Sequence, residues 1–295
     1  FANAAAAQRA AVGTGAQATV IGAQAFGIAA NASADRSLAV GGNAQASGAT
    51  SIGVGNEVVA SGQSSVAMGY RTSATNVLTT AIGGWNDVNA DGVVDANEVT
   101  VASGVGAIAI GPAAQSTQQG SVAIGANSGA TAQASTAVGT TAFATGLGSA
   151  AFGFDSQATQ QAALALGGGS RATATNSTAV GTLAQAQSAN TIAIGFQSLA
   201  AATDSVVLGT NAQVAAAGGN GISIGNNSQV NSLNGLAMGT GAIVPAVDPS
   251  GTAITNGIAI GNSSRANNAD ATAVGANAVA NRQKRGAVGT ASHAQ

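Results

Sequence analysis

A glycine that recurs at every fourteenth position constrains this chain more than any other feature. It closes a short phrase, apolar–Ala–apolar–Gly, and 19 copies of this glycine run from Gly13 to Gly289. Fifteen of the eighteen intervals between them have this same length, and the three exceptions are longer. The period resumes in phase after each exception, so the extra fourteen, two and eight positions are predicted to be insertions in turns. A fixed period of this kind indicates a stack of thin, repeated layers.

The residues around the glycine indicate β-strands. The residue before it is Val, Ile, Leu, Met or Phe in every copy, and the residue two before it is Ala in 16 of the 19. Alternation with a period of two is typical of a strand whose faces differ, and a shorter alternation, such as Ala44 and Ala46, follows each glycine. Each repeat is therefore predicted to hold two strands and two turns, with the glycine turning at positive φ. A helix is disfavoured because each interior glycine costs about 1 kcal/mol and the apolar spacing is not 3.6.

A coil of one such repeat is long enough for only two strand faces. We therefore predict an all-β fold, a flattened parallel β-roll of about 19 coils. Hexapeptide solenoids need a six-residue period and calcium-loaded rolls need a nonapeptide motif, and neither pattern is present. We expect the aliphatic column to pack on Ala and Ser across a thin core. The alanine column would then line a long uncharged strip, larger than monomers usually expose, and be buried between chains related by rotation. The sequence leaves open which column faces the core and which the neighbouring chain.

The composition excludes several classes of function. The 295 residues include only 18 charged ones and carry a net charge of −2, so no basic surface is expected to bind nucleic acid. The basic residues 282–285 are predicted to form a solvated turn. There is no cysteine, and the single histidine is His293, so an enzyme is not expected. No apolar run approaches the roughly 18–20 residues that span a bilayer, and no signal peptide is visible, so we expect no direct membrane contact.

Given its period and the residues that recur around the glycine, the chain resembles the head domain of YadA-like trimeric autotransporter adhesins. The phrases SVAMG (65–69), SVAIG (121–125), TIAIG (191–195) and GIAIG (257–261) match that family's head repeat. The resemblance runs from about residue 13 to 289, so a single head domain over residues 1–295 is expected. It implies a left-handed parallel β-roll, a homotrimer, and display at the outer membrane of a Gram-negative bacterium. It also implies attachment to host matrix proteins, cells or other surfaces, with the family's stalk and membrane anchor absent from this sequence.

Three points remain open within this interpretation. Collagen binding is associated with the SVAIG phrase in some family members, but we favour Val122 and Ile124 as core residues. A monomeric or fibre-type structural solenoid, like a phage fibre or an ice-binding protein, is the alternative function. A silk-like, slipping segment is disfavoured because the period resumes in phase after each insertion.

One segment contains candidate metal ligands: DVNADGVVDANE, which lies within the longest interval between the marker glycines that close each phrase. It fits the calcium-loop pattern D-x-[DN]-x-[DN]-G-x5-E, which supplies the six or more oxygen ligands that Ca²⁺ requires. The predicted ligands of a structural Ca²⁺ are Asp87, Asn89, Asp91, the Val93 carbonyl, Asp95 and Glu98. The alternative is a solvated, Asx-rich loop without metal.

Two insertions are candidates for recognition, because exposed loops differ most from the uniform coils. The first lies near residues 84–98, and Trp85 is predicted to pack its base on the roll. The second lies near residues 243–256 and contains Pro245 and Pro249, which indicate an exposed turn.

Overall fold

The computed structural model describes residues 2–4 and 8–294. The chain divides into two compact units, Phe1–Asp155 and Ser156–Gln295. Every regular element in the described residues is a β-strand, which confirms the all-β class, and none of these residues lies in a helix that could span a bilayer. The expectation of one head domain over residues 1–295 stays a prediction.

Long strands of three or four residues alternate with short strands of two residues along each unit. In the first unit the long strands are β2 Ala10–Val12, β4 Gln24–Phe26, β6 Leu38–Val40, β8 Ile52–Val54, β10 Val66–Gly69, β12 Thr80–Gly83, β14 Ile108–Ile110, β16 Val122–Ile124, β18 Thr136–Val138 and β20 Ala150–Phe152. Its short strands are β1 Asn3–Ala4, β3 Gln17–Ala18, β5 Asn31–Ala32, β7 Gln45–Ala46, β9 Val59–Ala60, β11 Ser73–Ala74, β13 Val101–Ala102, β15 Gln115–Ser116, β17 Gly129–Ala130 and β19 Phe143–Ala144.

The second unit continues the same alternation. Its long strands are β22 Leu164–Leu166, β24 Thr178–Val180, β26 Ile192–Ile194, β28 Val206–Leu208, β30 Ile222–Ile224, β32 Leu236–Met238, β34 Ile258–Ile260, β36 Thr272–Val274 and β38 Gly286–Val288. Its short strands are β21 Gln157–Ala158, β23 Arg171–Ala172, β25 Gln185–Ala186, β27 Leu199–Ala200, β29 Gln213–Val214, β31 Gln229–Val230, β33 Ile243–Val244, β35 Arg265–Ala266, β37 Val279–Ala280 and β39 His293–Ala294.

Within each unit, every coil pairs in parallel with the next in the same register. Ala67 of β10 lies opposite Ala81 of β12, one repeat away. The insertion in the longest interval does not shift this register: Thr80, before the insertion, lies opposite Ile108, after it. The predicted parallel β-roll of short, uniform repeats is therefore confirmed, and the insertions lie in turns as predicted.

The interior of each coil holds the alanine, and the large aliphatic residues point outward. Ala67 and Ala81 are 0% exposed, whereas their neighbours Met68 and Ile82 are 40% and 37% exposed. The expectation that the aliphatic column forms the core and the alanine column a surface between chains is therefore wrong. The reason is the width of the coil: the short strand facing each long strand also turns an alanine inward, such as Ala74 at 0% exposure. Two turns in so short a repeat bring these strands too close together for larger side chains.

The same correction applies to the SVAIG phrase. Ala123 is 0% exposed and lies in the core, while Ile124 is 36% exposed and Val122 is half-buried. Val122 and Ile124 are therefore outward-facing residues and not the core residues that we expected. Their partners in the next coil, Thr136 and Val138, occupy the same outward columns.

Glycines accommodate two of the larger residues that enter the core. Val230 and Val244 replace the usual alanine of a short strand, and each is 0% exposed. In the same coils, glycines stand at the turn position that holds Ser, Thr or Ala in most other coils. A Cβ at Gly235 would lie 2.6 Å from Cγ1 of Val230, and one at Gly257 would lie 2.6 Å from Cγ1 of Val244. The core is thus packed to a fixed volume, as close-packed interiors require.

The marker glycine is required both by its conformation and by its neighbour. Gly125 and Gly239 have φ values of +129° and +132°, a region that L side chains rarely adopt. A Cβ at Gly239 would also lie 2.5 Å from the carbonyl oxygen of Gly261 in the next coil. These glycines therefore fix the distance between coils as well as the turn.

The second insertion begins later than predicted and is less open. Ile243–Val244 is strand β33, so the loop proper, which we call the second loop, spans residues 245–257. Within it Ile254 is 2% exposed and anchors the loop against the coil. Val247 and Ala253 form an antiparallel bridge, so the segment is a small hairpin, and its residues 249–253 are exposed as predicted. The basic residues 282–285 are exposed, which confirms the predicted solvated turn.

Candidate functional site

The outward side of the long strands is largely apolar, with Gln24 and a few threonines among its members, and we call it the aliphatic face. It consists of the two residues that flank the buried alanine in each long strand, such as Ile192 and Ile194, which are 39% and 37% exposed. Further members include Leu208 at 45% and Met238 at 40% exposure. None of these flanking positions in the described long strands carries a charge. A contiguous, uncharged apolar strip of this kind is typical of an interaction surface.

The outward side of the short strands is different, and we call it the polar face. Its first strand residue is often a glutamine, such as Gln45, Gln157 and Gln213. The first inserted loop lies between the long strand β12 and the short strand β13, and the second lies between the short strand β33 and the long strand β34. The long strands still pair in register across both loops.

Glu98 is the buried centre of the first inserted loop, which spans residues 84–99. It is 0% exposed. Its Oε1 accepts the N–H of Val88 at 2.9 Å and of Asn89 at 3.3 Å, and its Oε2 accepts the Trp85 indole N–H at 3.1 Å and the Asp95 N–H at 3.3 Å. Burial raises the pKa of Glu98, but these hydrogen bonds together lower it below its ordinary value. The charged carboxylate therefore holds the loop together.

Other predicted calcium ligands lie around the Asn89 amide. Asn89 Nδ2 donates to Asp91 Oδ2 at 3.0 Å and to Asp95 Oδ2 at 3.3 Å. The N–H of Val93 donates to Asp91 Oδ1 at 2.7 Å, and Val93 itself is 58% exposed. Two of the carboxylates thus converge on one amide nitrogen at the surface of the loop.

Asp87 and Glu98 do not join this group. Asp87 Oδ2 accepts the N–H of Gly92 at 3.0 Å, while Asp87 Oδ1 is buried without any hydrogen-bond partner. Within the described residues, no three carboxylate or imidazole groups are arranged to hold a metal ion. The sequence motif therefore identifies a folded acidic loop, and calcium binding stays a prediction.

Contacts to the roll hold the base of the first loop. Asn86 Nδ2 donates to Asn127 Oδ1 at 3.0 Å, and Gln115 Nε2 donates to the Val99 carbonyl at 2.6 Å. Trp85, expected to pack this base, is half-buried and also donates to Glu98. The sequence did not indicate that hydrogen bond, because nothing in the motif tells whether Glu98 points inward.

Asp248 organises the second loop in a similar way. Its Oδ1 accepts the Ser250 hydroxyl at 2.6 Å and the N–H groups of Ser250 and Thr252 at 2.9 Å each. Its Oδ2 accepts Asn268 Nδ2 at 3.2 Å. The bond from the Ser250 hydroxyl and then that from the Thr252 N–H lower the pKa of Asp248 below its ordinary value.

An asparagine ladder runs along one turn of the second unit, at Asn220, Asn234, Asn256 and Asp270. Each Nδ2 donates to the Oδ1 of the next residue, at 3.0, 3.0 and 2.9 Å. Asp270 ends this ladder because a carboxylate only accepts. We had not predicted it, although Asn or Asp at the same position of successive repeats was a visible signal.

A family model described as the YadA head domain repeat (2 copies) matches most of the chain. The matched residues are 21–44, 32–57, 46–72, 60–84, 102–128, 130–156, 158–184, 186–212 and 255–278. The chain belongs to the YadA head family. The stretches of this YadA-like head outside the match include residues 85–101 and 213–254, which hold the first loop and most of the second.

Among solved structures, this YadA-like head is similar to the collagen-binding domain of the Yersinia adhesin YadA. The sequences are 31% identical over 56% of this chain and 82% of that chain, with a TM-score of 0.41. Collagen binding is the property of that Yersinia domain. No curated protein sequence matches this chain.

Proposed function

We propose that this YadA-like head is the adhesive, surface-displayed part of a homotrimer on a Gram-negative cell. The observation that carries the proposal is the aliphatic face, which is exposed, uncharged and repeated in every coil of a chain that belongs to the YadA head family. Packing these faces against one another between three chains would remove them from water. The trimer surface is thus assigned to the aliphatic face, in place of the alanine column that we first expected.

The polar faces and the loops would then be turned toward the surroundings. Adhesion to matrix proteins, cells or other surfaces would come from many weak contacts, multiplied by repetition along each chain and by three chains. Catalysis has no part in this function.

The assembly is tested first by the mass of the protein in solution. Light scattering should give three times the chain mass of 27.5 kDa. Ile194→Asp places a charge on the aliphatic face and should reduce the mass toward that of one chain, because a buried unpaired charge is costly. The matched control, Gln213→Asp on the polar face, should stay trimeric. A wild-type mass of one chain with an intact β circular dichroism spectrum would overturn the trimer of this chain and favour the monomeric structural solenoid.

Adhesion is tested separately, with beads that carry the wild-type protein. Such beads should be retained on at least one coating of collagen, fibronectin, laminin or host cells, and beads carrying the Ile194→Asp protein should be retained less. Retention no greater than that of bare beads on every coating would overturn the adhesive function and leave a purely structural role.

We further propose that the first loop binds one structural Ca²⁺ through Asp87, Asn89, Asp91, the Val93 carbonyl, Asp95 and Glu98. Two features support this. The buried Asp87 Oδ1 has no partner, and the carboxylates of Asp91 and Asp95 both contact one amide nitrogen, where a cation would satisfy them better. To act as a ligand, Glu98 must give up some of its four N–H donors, and one of these is Trp85.

This requirement makes the calcium site testable, because Trp85 is the only tryptophan of the chain. Calorimetric titration of chelator-treated protein with CaCl₂ should show one site per chain, and tryptophan fluorescence should change in parallel. Asp91→Asn with Asp95→Asn should abolish both signals, while Asp155→Asn, outside the loop, should leave them intact. Absence of heat in the wild type would overturn the site. Heat without a change in fluorescence would remove Glu98 from the ligand set.

A further inference from the structure

A cleft lies between the first loop and the polar face of strands β15, β17 and β19. Val88 of the loop forms one side, and the side chains of Gln115 and Phe143 form the other. Its volume is about 220 Å³, smaller than the roughly 300–1,000 Å³ of pockets for drug-sized ligands. The cleft therefore has room for a single ring or one side chain.

Gly129 lines this cleft, and its lack of a side chain makes room for the ring of Phe143. It stands in the outward column of the short strands, between Gln115 and Phe143. A Cβ there would lie 2.8 Å from Cδ1 of Phe143, so the aromatic ring lies against the glycine backbone. Gly129 has no positive φ, so its backbone conformation does not require glycine. What matters at this position is the absence of a side chain. Phe143 remains 39% exposed, with its ring available to a ligand.

Neutral polar groups at the rim of the cleft are fixed in orientation and still have open hydrogen-bonding capacity. Asn127 lines the cleft, and because its Oδ1 accepts from Asn86, its Nδ2 is left to donate. Gln115 donates its Nε2 to the Val99 carbonyl, which leaves its Oε1 to accept. Among the described residues, neither Asn127 Nδ2 nor Gln115 Oε1 has a partner. The rim thus offers one fixed donor and one fixed acceptor.

Charge argues against an acidic ligand. None of the residues that line the cleft is ionisable. The nearest charged groups along the chain are Asp87 beside Val88 and Glu98 beside Asn97, and their carboxylates would repel an anion. The ligand should therefore be neutral.

We propose that this cleft binds one neutral pyranose ring of a glycan. The C–H face of a pyranose packs on the Phe143 ring and on Val88. Its hydroxyl groups both donate and accept, so neighbouring hydroxyls can satisfy Gln115 Oε1 and Asn127 Nδ2 together. A purely apolar side chain of similar size would leave these two polar groups without partners once water is displaced. All the lining residues belong to one chain, so this site does not depend on the proposed trimer.

Saturation-transfer NMR on the intact chain tests this site with methyl glycosides of glucose, galactose, mannose, N-acetylglucosamine and N-acetylgalactosamine. Measurements with CaCl₂ and with chelator separate the sugar site from the calcium site. At least one probe should receive saturation through its ring C–H protons, with a dissociation constant on the order of 1 mM, because so small a ligand makes few contacts. Gly129→Gln, which installs the residue found at Gln45 and Gln115, should close the cleft and abolish the signal. Phe143→Ala should weaken binding at least tenfold, whereas Phe154→Ala, another exposed phenylalanine, should leave it unchanged.

Each variant should keep the wild-type thermal unfolding curve, so that a lost signal reports the cleft and not the fold. The site is overturned if no probe binds in either buffer, or if binding survives both Gly129→Gln and Phe143→Ala. It is also overturned if only sialylated or sulfated glycans bind. Saturation transfer to an uncharged leucine-rich peptide that is lost in Phe143→Ala, with no sugar binding, would overturn the sugar site and reassign the cleft to a protein ligand.

Discussion

The interior of the coils consists of small uncharged side chains, whereas the interior of the first loop is organised around one charged carboxylate. In the coils, the buried side chains are alanine, serine, threonine and a few valines, and Glu98 of the loop is the single charged residue that is buried in the described part of the chain. The same contacts recur in each coil, whereas in the loop four N–H groups donate to the single carboxylate of Glu98. Coil stability should therefore depend on side-chain volume, and loop stability on one charge.

The largest effect should come from adding volume to a coil. Ala137 is 0% exposed in the middle of β18, and Ala137→Leu adds three carbons to a core that has no room for them. We expect the free energy of unfolding to fall by about 3 kcal/mol, measured by denaturant titration. Gln45→Leu installs the same residue at an exposed position of the polar face and should change it by less than about 0.5 kcal/mol. Equal effects would show that side-chain volume does not limit the coils.

A double-mutant cycle tests whether valine and glycine compensate each other within a coil. Gly235→Ala places a Cβ against Val230 and should cost about 1–3 kcal/mol. Val230→Ala in the same chain should restore most of that loss, because the coil then holds the alanine of its neighbours. If the two costs simply add, the residues pack independently and the volume argument fails.

Neutralising Glu98 should affect the loop and spare the roll. Glu98→Gln keeps the size of the side chain but replaces an oxygen that accepts two N–H groups by an NH₂ group. In chelator, cleavage of the loop by a protease should accelerate at least tenfold, while the melting temperature of the coils stays constant. Asp91→Asn, at the exposed edge, is the control and should change cleavage much less. A drop in the melting temperature of the whole chain would mean that loop and coils unfold together.

Acid should open the second loop before the coils. Because hydrogen bonds lower the folded-state pKa of Asp248, its stabilising effect is present above the ordinary aspartate pKa of about 3.9 and is lost as pH falls through the folded value. Protection of the Ile254 amide from hydrogen exchange, corrected for intrinsic rates, should therefore decrease below about pH 4. Asp248→Asn should remove this pH dependence. The coil amides should show no such change in this range.

The smallest effect should come from the asparagine ladder. Asn234→Ala removes two side-chain hydrogen bonds at an exposed turn and places alanine at a φ of +55°. We expect a loss of about 0.5–1.5 kcal/mol. Asn234→Gly relieves the backbone strain but does not restore the lost hydrogen bonds. The difference in stability between the two variants therefore separates the cost of strain from the cost of the lost bonds.

The period and the alternation were sufficient to predict the strands, the register and the position of the first insertion. They could not tell which side of the strand faces inward. Hydrophobicity favours isoleucine over alanine for a core, but the spacing between facing strands admits only the smaller residue, and that spacing is a property of the closed coil. Ile124 and Ala123 were therefore placed on the wrong sides.

The loops show a second limit of the sequence. The motif around Asp87 predicts a calcium site, which stays a prediction, and it gives no indication of how Glu98 is oriented. The inward orientation of Glu98 depends on its contact with Trp85 and on backbone N–H groups that the motif does not specify. The cleft likewise depends on Gly129, which looks unremarkable in a chain with 43 glycines. Its role becomes visible only beside Phe143 in the neighbouring strand.

The marker glycines also bear on how the gene can change. Each coil meets its neighbours through the same register, so a segment cut from one marker glycine to another leaves compatible surfaces at the joint. Unequal recombination between in-phase repeats would therefore yield proteins that still fold, each shorter or longer by whole coils of roughly 4.8 Å. Frame-preserving changes of other lengths are accommodated in turns, as the two-residue and eight-residue insertions of this chain are. Within a strand they would place a side chain where only Gly125 or its equivalents fit. Selection can thus adjust the number of coils while leaving their internal design untouched.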